Sequence, residues 1–170
     1  MVMANSELVA VDSDGNYQFV WMQELRFSCG PACVYMIERI KKQACPAGGE
    51  ERIRQITALL PEGYSEAQGG TQSYNALALA LQAIGFSATA ILIEHFRDFL
   101  ALASFPFITR IGWPDGSGHF VVCVACTRNA ELVCLDPWGG LTQPKLQFIP
   151  VYQVLYQKGG VFSGHTVVLT

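Results

Sequence analysis

A thiol, an imidazole and a carboxylate, the side chains that together make a nucleophilic site, occur in this chain at Cys29, His119 and Asp136. Cys29 sits in Ser28-Cys29-Gly30-Pro31, at the mouth of a predicted helix. Gly30 permits close backbone approach, and Pro31 suits a first helical turn, where a missing N–H costs nothing. A thiol there faces the positive end of the helix dipole and unpaired N–H groups, which favour thiolate, the reactive form. The plain alternative is a small residue filling a tight corner between strand and helix, and this segment alone leaves both open.

The second half of the chain supplies a base. Gly118-His119 begins the apolar run HFVVCVAC, and ELVCLD returns after the polar turn TRNA. If that turn centres on Arg128-Asn129, paired residues have numbers summing to about 257 in an antiparallel ladder. His119 then faces the neighbourhood of Trp138, with Asp136 two places along the partner strand. A carboxylate beside an imidazole fixes its tautomer and stabilises its protonated form, as a Cys–His pair requires. The alternative is a solvated histidine at a strand start.

Gln23 precedes Cys29 by six positions on the approach to the same helix. Its amide is suited to donate to an oxyanion, together with the backbone N–H of Cys29. Gln18 competes for this role from farther back, and a lone glutamine is more often polar surface.

Three predicted helices and a run of strands must position these groups. Cys33, Met36, Ile37 and Ile40 follow Cys29 at helical spacing, and Lys41 and Lys42 suit the helix end. A second helix spans about Glu50–Leu60, with Ile53, Ile56, Leu59 and Leu60 as its stripe. A third, capped by Thr71, carries Leu77, Leu81 and Ile84 and stops at Gly85. Phe86–Ile93 reads as a strand and His95–Leu102 as a short helix. Strands are expected near Phe107–Ile111, His119–Cys126, Leu132–Asp136, Phe148–Leu155 and Thr166–Leu169. Helices first and antiparallel strands after them define an α+β fold, expected as a single domain over residues 1–170.

Composition narrows the function. The 170 residues are 51% hydrophobic and only 15% charged, and a mean hydropathy of +0.27 excludes intrinsic disorder. A net charge of -3 offers no footprint for nucleic acid. No apolar run reaches the ~18 residues of a membrane span, and MVMANSELVAVDSDGN lacks a secretory signal. The expected location is therefore cytoplasmic, or outside the cell after export by a specialised system. Of six cysteines, Cys123 and Cys126 have the gap of a zinc knuckle, with Cys134 eight positions on. Cys123 and Cys134 lie inside predicted strands, however, where a free cysteine packs as a small hydrophobe. No metal or cofactor is expected.

The segment MQELRFSCGPACVYMI resembles the nucleophile segment of papain-like cysteine peptidases. Gln23, Cys29-Gly30-Pro31-Ala32, Gly118-His119-Phe120-Val121-Val122 and Asp136-Pro137 follow in the order of the bacterial double-glycine-leader peptidases, which process bacteriocin precursors. GGTQSYNALALALQAIGF and FPFITRI are similar to that family's middle helix and to the strand before its histidine. The resemblance implies a papain-like fold, with a helical N-terminal part packed on a C-terminal antiparallel sheet. It also implies thiol hydrolysis of a peptide or isopeptide bond. Cys29 would attack, His119 would act as base then acid, Asp136 would orient it, and Gln23 would line the oxyanion hole. The family's members are often fused to ABC transporters, whereas this chain carries no transporter domain. The segment after Pro144 is less familiar, so substrate identity does not carry over.

The remaining candidates are weaker. His165 follows Gly164 as His119 follows Gly118, but without an acid after it, and reads as an edge-strand residue. His95 reads as surface. Trp113 and Trp138, with the glycines of WPDGSG and PWGG, either shape a substrate cleft or serve ordinary turns. Cys33, one turn after Cys29, reads as core. The expected partners are a peptide or protein substrate and, for a processing enzyme acting instead as a secreted bacterial effector, a cognate inhibitor or immunity protein. Two rival readings stand beside the peptidase: an acyl transferase or deamidase using the same thiol, and an inactive module that grips a peptide.

Overall fold

The computed structural model of the chain describes residues 6–102 and 105–170. An antiparallel hairpin of β1 (Glu7–Val11) and β2 (Tyr17–Trp21) leads into α1 (Cys29–Lys42). Next come α2 (Gly49–Ala58), the two-residue strands β3 (Tyr64–Ser65) and β4 (Gly70–Thr71), and α3 (Tyr74–Ala83). The second half contributes β5 (Ala88–Leu92), β6 (Phe107–Gly112), β7 (Gly118–Cys126), β8 (Leu132–Asp136), β9 (Gly140–Thr142) and β10 (Val161–Leu169). These six form one antiparallel sheet in the order β5-β10-β6-β7-β8-β9. The fold is α+β, with the helices packed on the sheet.

Alternation along the central strands divides the core into two layers. Phe120 and Val122 of β7 face one way and, with Ile108, Leu135 and Val167, pack under α1 and α3. Val121 and Cys123 face the other way, with Cys134, and meet Phe96, Phe99, Phe107 and Phe162. α1 is sandwiched so fully that Cys29 through Glu38 are all buried. α1 is therefore a central, buried element and not a surface one.

Several local expectations give way to tertiary packing. The segment expected as a strand at Phe148–Leu155 contains a single 3-10 turn at Val151–Gln153. Its buried residues, Val151 and Val154, are three apart, the period of a turn and not of a strand, while Phe148 and Leu155 are exposed. Pro150 also removes a ladder donor there. Leu59 is 88% exposed because α2 ends at Ala58, which takes Leu59 off the buried stripe. Thr71 does not cap α3; it pairs with Tyr64 in the β3–β4 hairpin, and the Ser73 hydroxyl accepts from the Asn75 N–H instead. The region His95–Leu102 holds a 3-10 helix, Phe96–Leu100. Strands β1 and β9 are further elements beyond those expected.

His165 is not on an edge strand. β10 lies between β5 and β6, paired to both. A register shift between Phe162 and Thr166 admits Gly164, where a Cβ would stand 2.1 Å from the Ile93 carbonyl oxygen. That close approach, at φ +82, requires glycine. No helix among the described residues is long and apolar enough to cross a membrane.

Candidate active site

The site assembles where the N-terminus of α1 meets the open end of the β7–β8 ladder. Val122 pairs with Leu135 and Cys123 with Cys134, so near this end the residue numbers sum to 257, whereas beside the turn Ala125 pairs with Val133 and Cys126 with Leu132, a sum of 258. The register shifts only beyond Cys123, towards the turn. His119 and Asp136 therefore lie on the same face, and His119 Nε2 is 2.7 Å from Asp136 Oδ1. With Nε2 committed to the carboxylate, Nδ1 is the nitrogen left for sulfur. The Cys29 thiol lies close enough to His119 to act on its charge. Cys29, His119 and Asp136, scattered over more than a hundred positions, are thus brought to one place.

Both partners of His119 act on its charge. Burial opposes the imidazolium, but Asp136 and Cys29 together outweigh it and raise the pKa to about 10. Burial likewise opposes the Asp136 carboxylate, yet its hydrogen bond and charge interaction with His119 hold its pKa below the ordinary value. Oδ1 also accepts from the Trp138 and Gly139 backbone N–H groups, at 2.7 and 2.9 Å. The His119 imidazole is thus held beside a carboxylate, with a sulfur also acting on its charge.

Tyr156 completes the cluster, and the sequence carried no signal for it. Its hydroxyl donates to Asp136 Oδ2 at 2.9 Å and lies 2.7 Å from Thr142 Oγ1. Both carboxylate oxygens are therefore fixed, which sets the plane in which His119 is held. Trp113 and Trp138 flank the imidazole at ring distances of 6.2 and 5.8 Å, and Lys158 Nζ lies 4.6 Å from the Trp138 ring centroid. Together with Gln157 these side chains bound a small cleft beside His119. The two tryptophans thus line this cleft, and Trp113 also closes a turn through its backbone N–H to the Ser117 carbonyl.

Gln23 reaches the same region by a different connection. Its backbone N–H donates to the Pro137 carbonyl at 2.9 Å, tying the approach to α1 directly to the residue after Asp136. Its side-chain Nε2 donates to the Leu25 and Arg26 carbonyls, both at 2.7 Å, and Oε1 is buried without a hydrogen-bond partner among the described residues. Both amide hydrogens are thus spent on the loop. Gln18 is elsewhere, donating to Asp12 Oδ2 at 2.9 Å. No side chain caps α1, because the Ser28 hydroxyl turns back to Leu25.

The loop from Trp21 to Ser28 is braced by α2. Glu50, fully buried, accepts from Trp21 Nε1 and from the Glu24 backbone N–H, each at 3.0 Å. Arg54, one turn on, bridges Glu50 at 2.8 Å and Glu24 at 2.6 Å. This explains why a helix expected only for its apolar stripe begins with a buried acid. Replacing Glu50 with alanine strands the Trp21 indole N–H and the Glu24 backbone N–H and leaves Arg54 with Glu24 alone. Breaking such a buried pair is expected to lower stability by about 3 kcal/mol, read as a shift in the denaturant midpoint. An unchanged midpoint would remove Glu50 from the brace.

The six cysteines are all free. Cys123 and Cys134 face each other across β7 and β8, sulfurs 3.5 Å apart, within the aromatic core layer. Cys33 is fully buried in α1, where burial first, and the nearby Cys29 and Asp136 next, push its thiol well up. It is core, as its spacing predicts.

Three helices on a six-stranded antiparallel sheet, with a thiol at the first helix and an imidazole on the sheet, define the papain-like cysteine-peptidase fold. Among solved structures, the chain is similar to the peptidase domain of Streptococcus ComA, a bifunctional ABC transporter of a quorum-sensing pathway. The TM-score is 0.61 at 16% identity, covering 88% of this chain and 95% of that one. It is also similar to a double-glycine-motif protease from an AMS/PCAT transporter, crystallised with its leader peptide, at TM-score 0.56 and 20% identity. That match covers 99% of this chain and 95% of the other. The peptidase domain of Streptococcus mutans ComA gives 0.56 at 15% identity, covering 89% and 98%. No family model matches the chain, and no curated protein matches it in sequence. The kinship lies in the fold.

Proposed function

We propose that this protein is a cysteine peptidase that cleaves peptide or isopeptide bonds through Cys29, His119 and Asp136. The observation that carries the reading is the buried His119–Asp136 pair at 2.7 Å, with Cys29 acting on the same imidazole and its pKa raised to about 10. The Cys29 sulfur attacks the substrate carbonyl, and His119 passes its proton to the departing amine, leaving a thioester on Cys29. Water, deprotonated by His119, then attacks the thioester and releases the acid and the thiol. The Cys29 backbone N–H, at the uncapped start of α1, is suited to hold the oxyanion. Gln23 joins it once its amide lets go of the Leu25 and Arg26 carbonyls.

Thiol labelling tests this against an inactive binding module. Cys29 is only 9% exposed, while Cys45 is an exposed thiol. Accessibility alone would make Cys45 the faster to react. An activated pair reverses that order, so limiting iodoacetamide near neutral pH should modify Cys29 first, as read by peptide mass spectrometry. Labelling of Cys29 no faster than Cys45 would sink the enzyme reading. Products from cleaved peptides, analysed with and without added amines, then separate hydrolase from acyl transferase.

A further inference from the structure

Each residue of the thiol–imidazole pair stands beside a glycine, and each of those glycines has a polar side chain laid against it. At Gly30, after Cys29, a Cβ would stand 2.5 Å from Thr71 Oγ1. At Gly118, before His119, it would stand 2.2 Å from a guanidinium nitrogen of Arg110. Thr71 thus lies against the residue after Cys29, and Arg110, on the sheet face that packs under α1, against the residue before His119. Neither is satisfied: Thr71 Oγ1 is buried with no hydrogen-bond partner, and the Arg110 guanidinium makes no hydrogen bond or ion pair among the described residues.

That isolation sets Arg110 apart. Arg39, Arg52, Arg54, Arg97 and Arg128 each hold a carboxylate, and Arg26 is exposed over the Phe27 ring. Arg110 is partly buried, comes from the middle of β6, and lies against the exposed Gly118. A guanidinium has five donors in a planar fork matched to a carboxylate, and those of Arg110 are taken by no described residue. His165 does not relieve it. Burial, then the charge of Arg110, holds its imidazole below the ordinary range, so it is neutral at pH 7. It bonds Ser163 Oγ through Nδ1 at 3.1 Å and packs against Tyr74, ring centroids 4.7 Å apart.

We propose that Arg110 is a specificity-determining residue that pairs with a substrate carboxylate next to the scissile bond, so that the preferred substrates are acidic peptides. The proposal rests on the reading of this cleft as the place where Cys29 attacks. The fork of Arg110 takes the side-chain carboxylate. In a chain of net charge -3, this local cation is what makes an acidic segment welcome at the cleft.

Two assays on wild type and Arg110→Gln decide it, one of them independent of peptide cleavage. In the first, Cys29 alkylation by iodoacetate is compared with alkylation by neutral iodoacetamide. The iodoacetate-to-iodoacetamide rate ratio is expected to fall about tenfold in Arg110→Gln, the scale of a lost charge-assisted pair. In the second, coumarylamide peptides carrying Glu or Gln at each position near the cleavage site are compared. Wild type is expected to favour Glu about tenfold at one position, and Arg110→Gln to treat the two alike. A wild type indifferent to charge in both assays overturns the proposal. So does a preference that survives in Arg110→Gln, which would assign it to another group. If no peptide is cleaved, the peptidase reading falls, while the alkylation ratio still decides Arg110.

Discussion

Cys29→Ala is expected to abolish turnover while leaving the protein folded. The substitution removes one sulfur from the first turn of α1, at a position where alanine is a good helix former. The unfolding midpoint should move by no more than about 1 kcal/mol. Turnover should fall at least ~10⁴-fold, because removing a nucleophile leaves only binding and oxyanion stabilisation. His119→Ala should be as inactive but less stable. It takes away the cation between the sulfur and Asp136, whose carboxylate is 4% exposed. The Trp138 and Gly139 amides and the Tyr156 hydroxyl still hold that carboxylate. The cost should therefore stay near ~3 kcal/mol, the scale of a broken buried pair. His119→Gln can donate to Asp136 again and should recover part of the stability and none of the activity. Turnover retained by either the Cys29 or the His119 variant would move the nucleophile or the base elsewhere.

Asp136→Asn isolates charge from geometry. Its Oδ1 can keep the bonds from His119 and the two backbone amides, and its amide nitrogen can donate to the Tyr156 oxygen. What is lost is the negative charge that, with Cys29, keeps the imidazole protonated to about 10. In wild type, the alkaline limb of kcat/KM should fall near that pH. In Asp136→Asn it should move down towards the ordinary imidazole value of 6.5. The activity loss, about 10²-fold, should be smaller than for Cys29→Ala, since Asp136 orients and stabilises without attacking. Stability follows the same signs. A raised folded pKa for His119 stabilises fully below 6.5 and loses this contribution as pH rises through about 10. A lowered one for Asp136 stabilises above 3.8 and loses its contribution as pH falls through the folded value. The cluster thus supports the fold across the middle of the pH range and weakens at both extremes. A limb that stays in place, with full activity, would remove Asp136 from the site.

What the sequence determined by itself was whatever short-range geometry governs. The start of α1 follows from Gly30 and Pro31 together with the apolar spacing behind them. The hairpin that carries His119 and Asp136 follows from two apolar runs around a polar turn, but the pairs beside that turn sum to 258, and only the shift between Cys123 and Ala125 brings the sum to 257 and sets both side chains on one face. The α+β class follows from the change of period halfway along the chain. Tertiary structure decided everything that depends on packing between distant segments. It inserted β10 between β5 and β6, so His165 became interior, and it turned Phe148–Leu155 into a bend. It also brought Cys29 to His119, Tyr156 to Asp136, Glu50 to the loop before α1, and Arg110 to Gly118. None of these contacts has a period or a motif, because each is set by how α1 and the returning strands stack on the sheet, and a linear pattern does not encode which distant side chains that stacking will bring within a few ångströms.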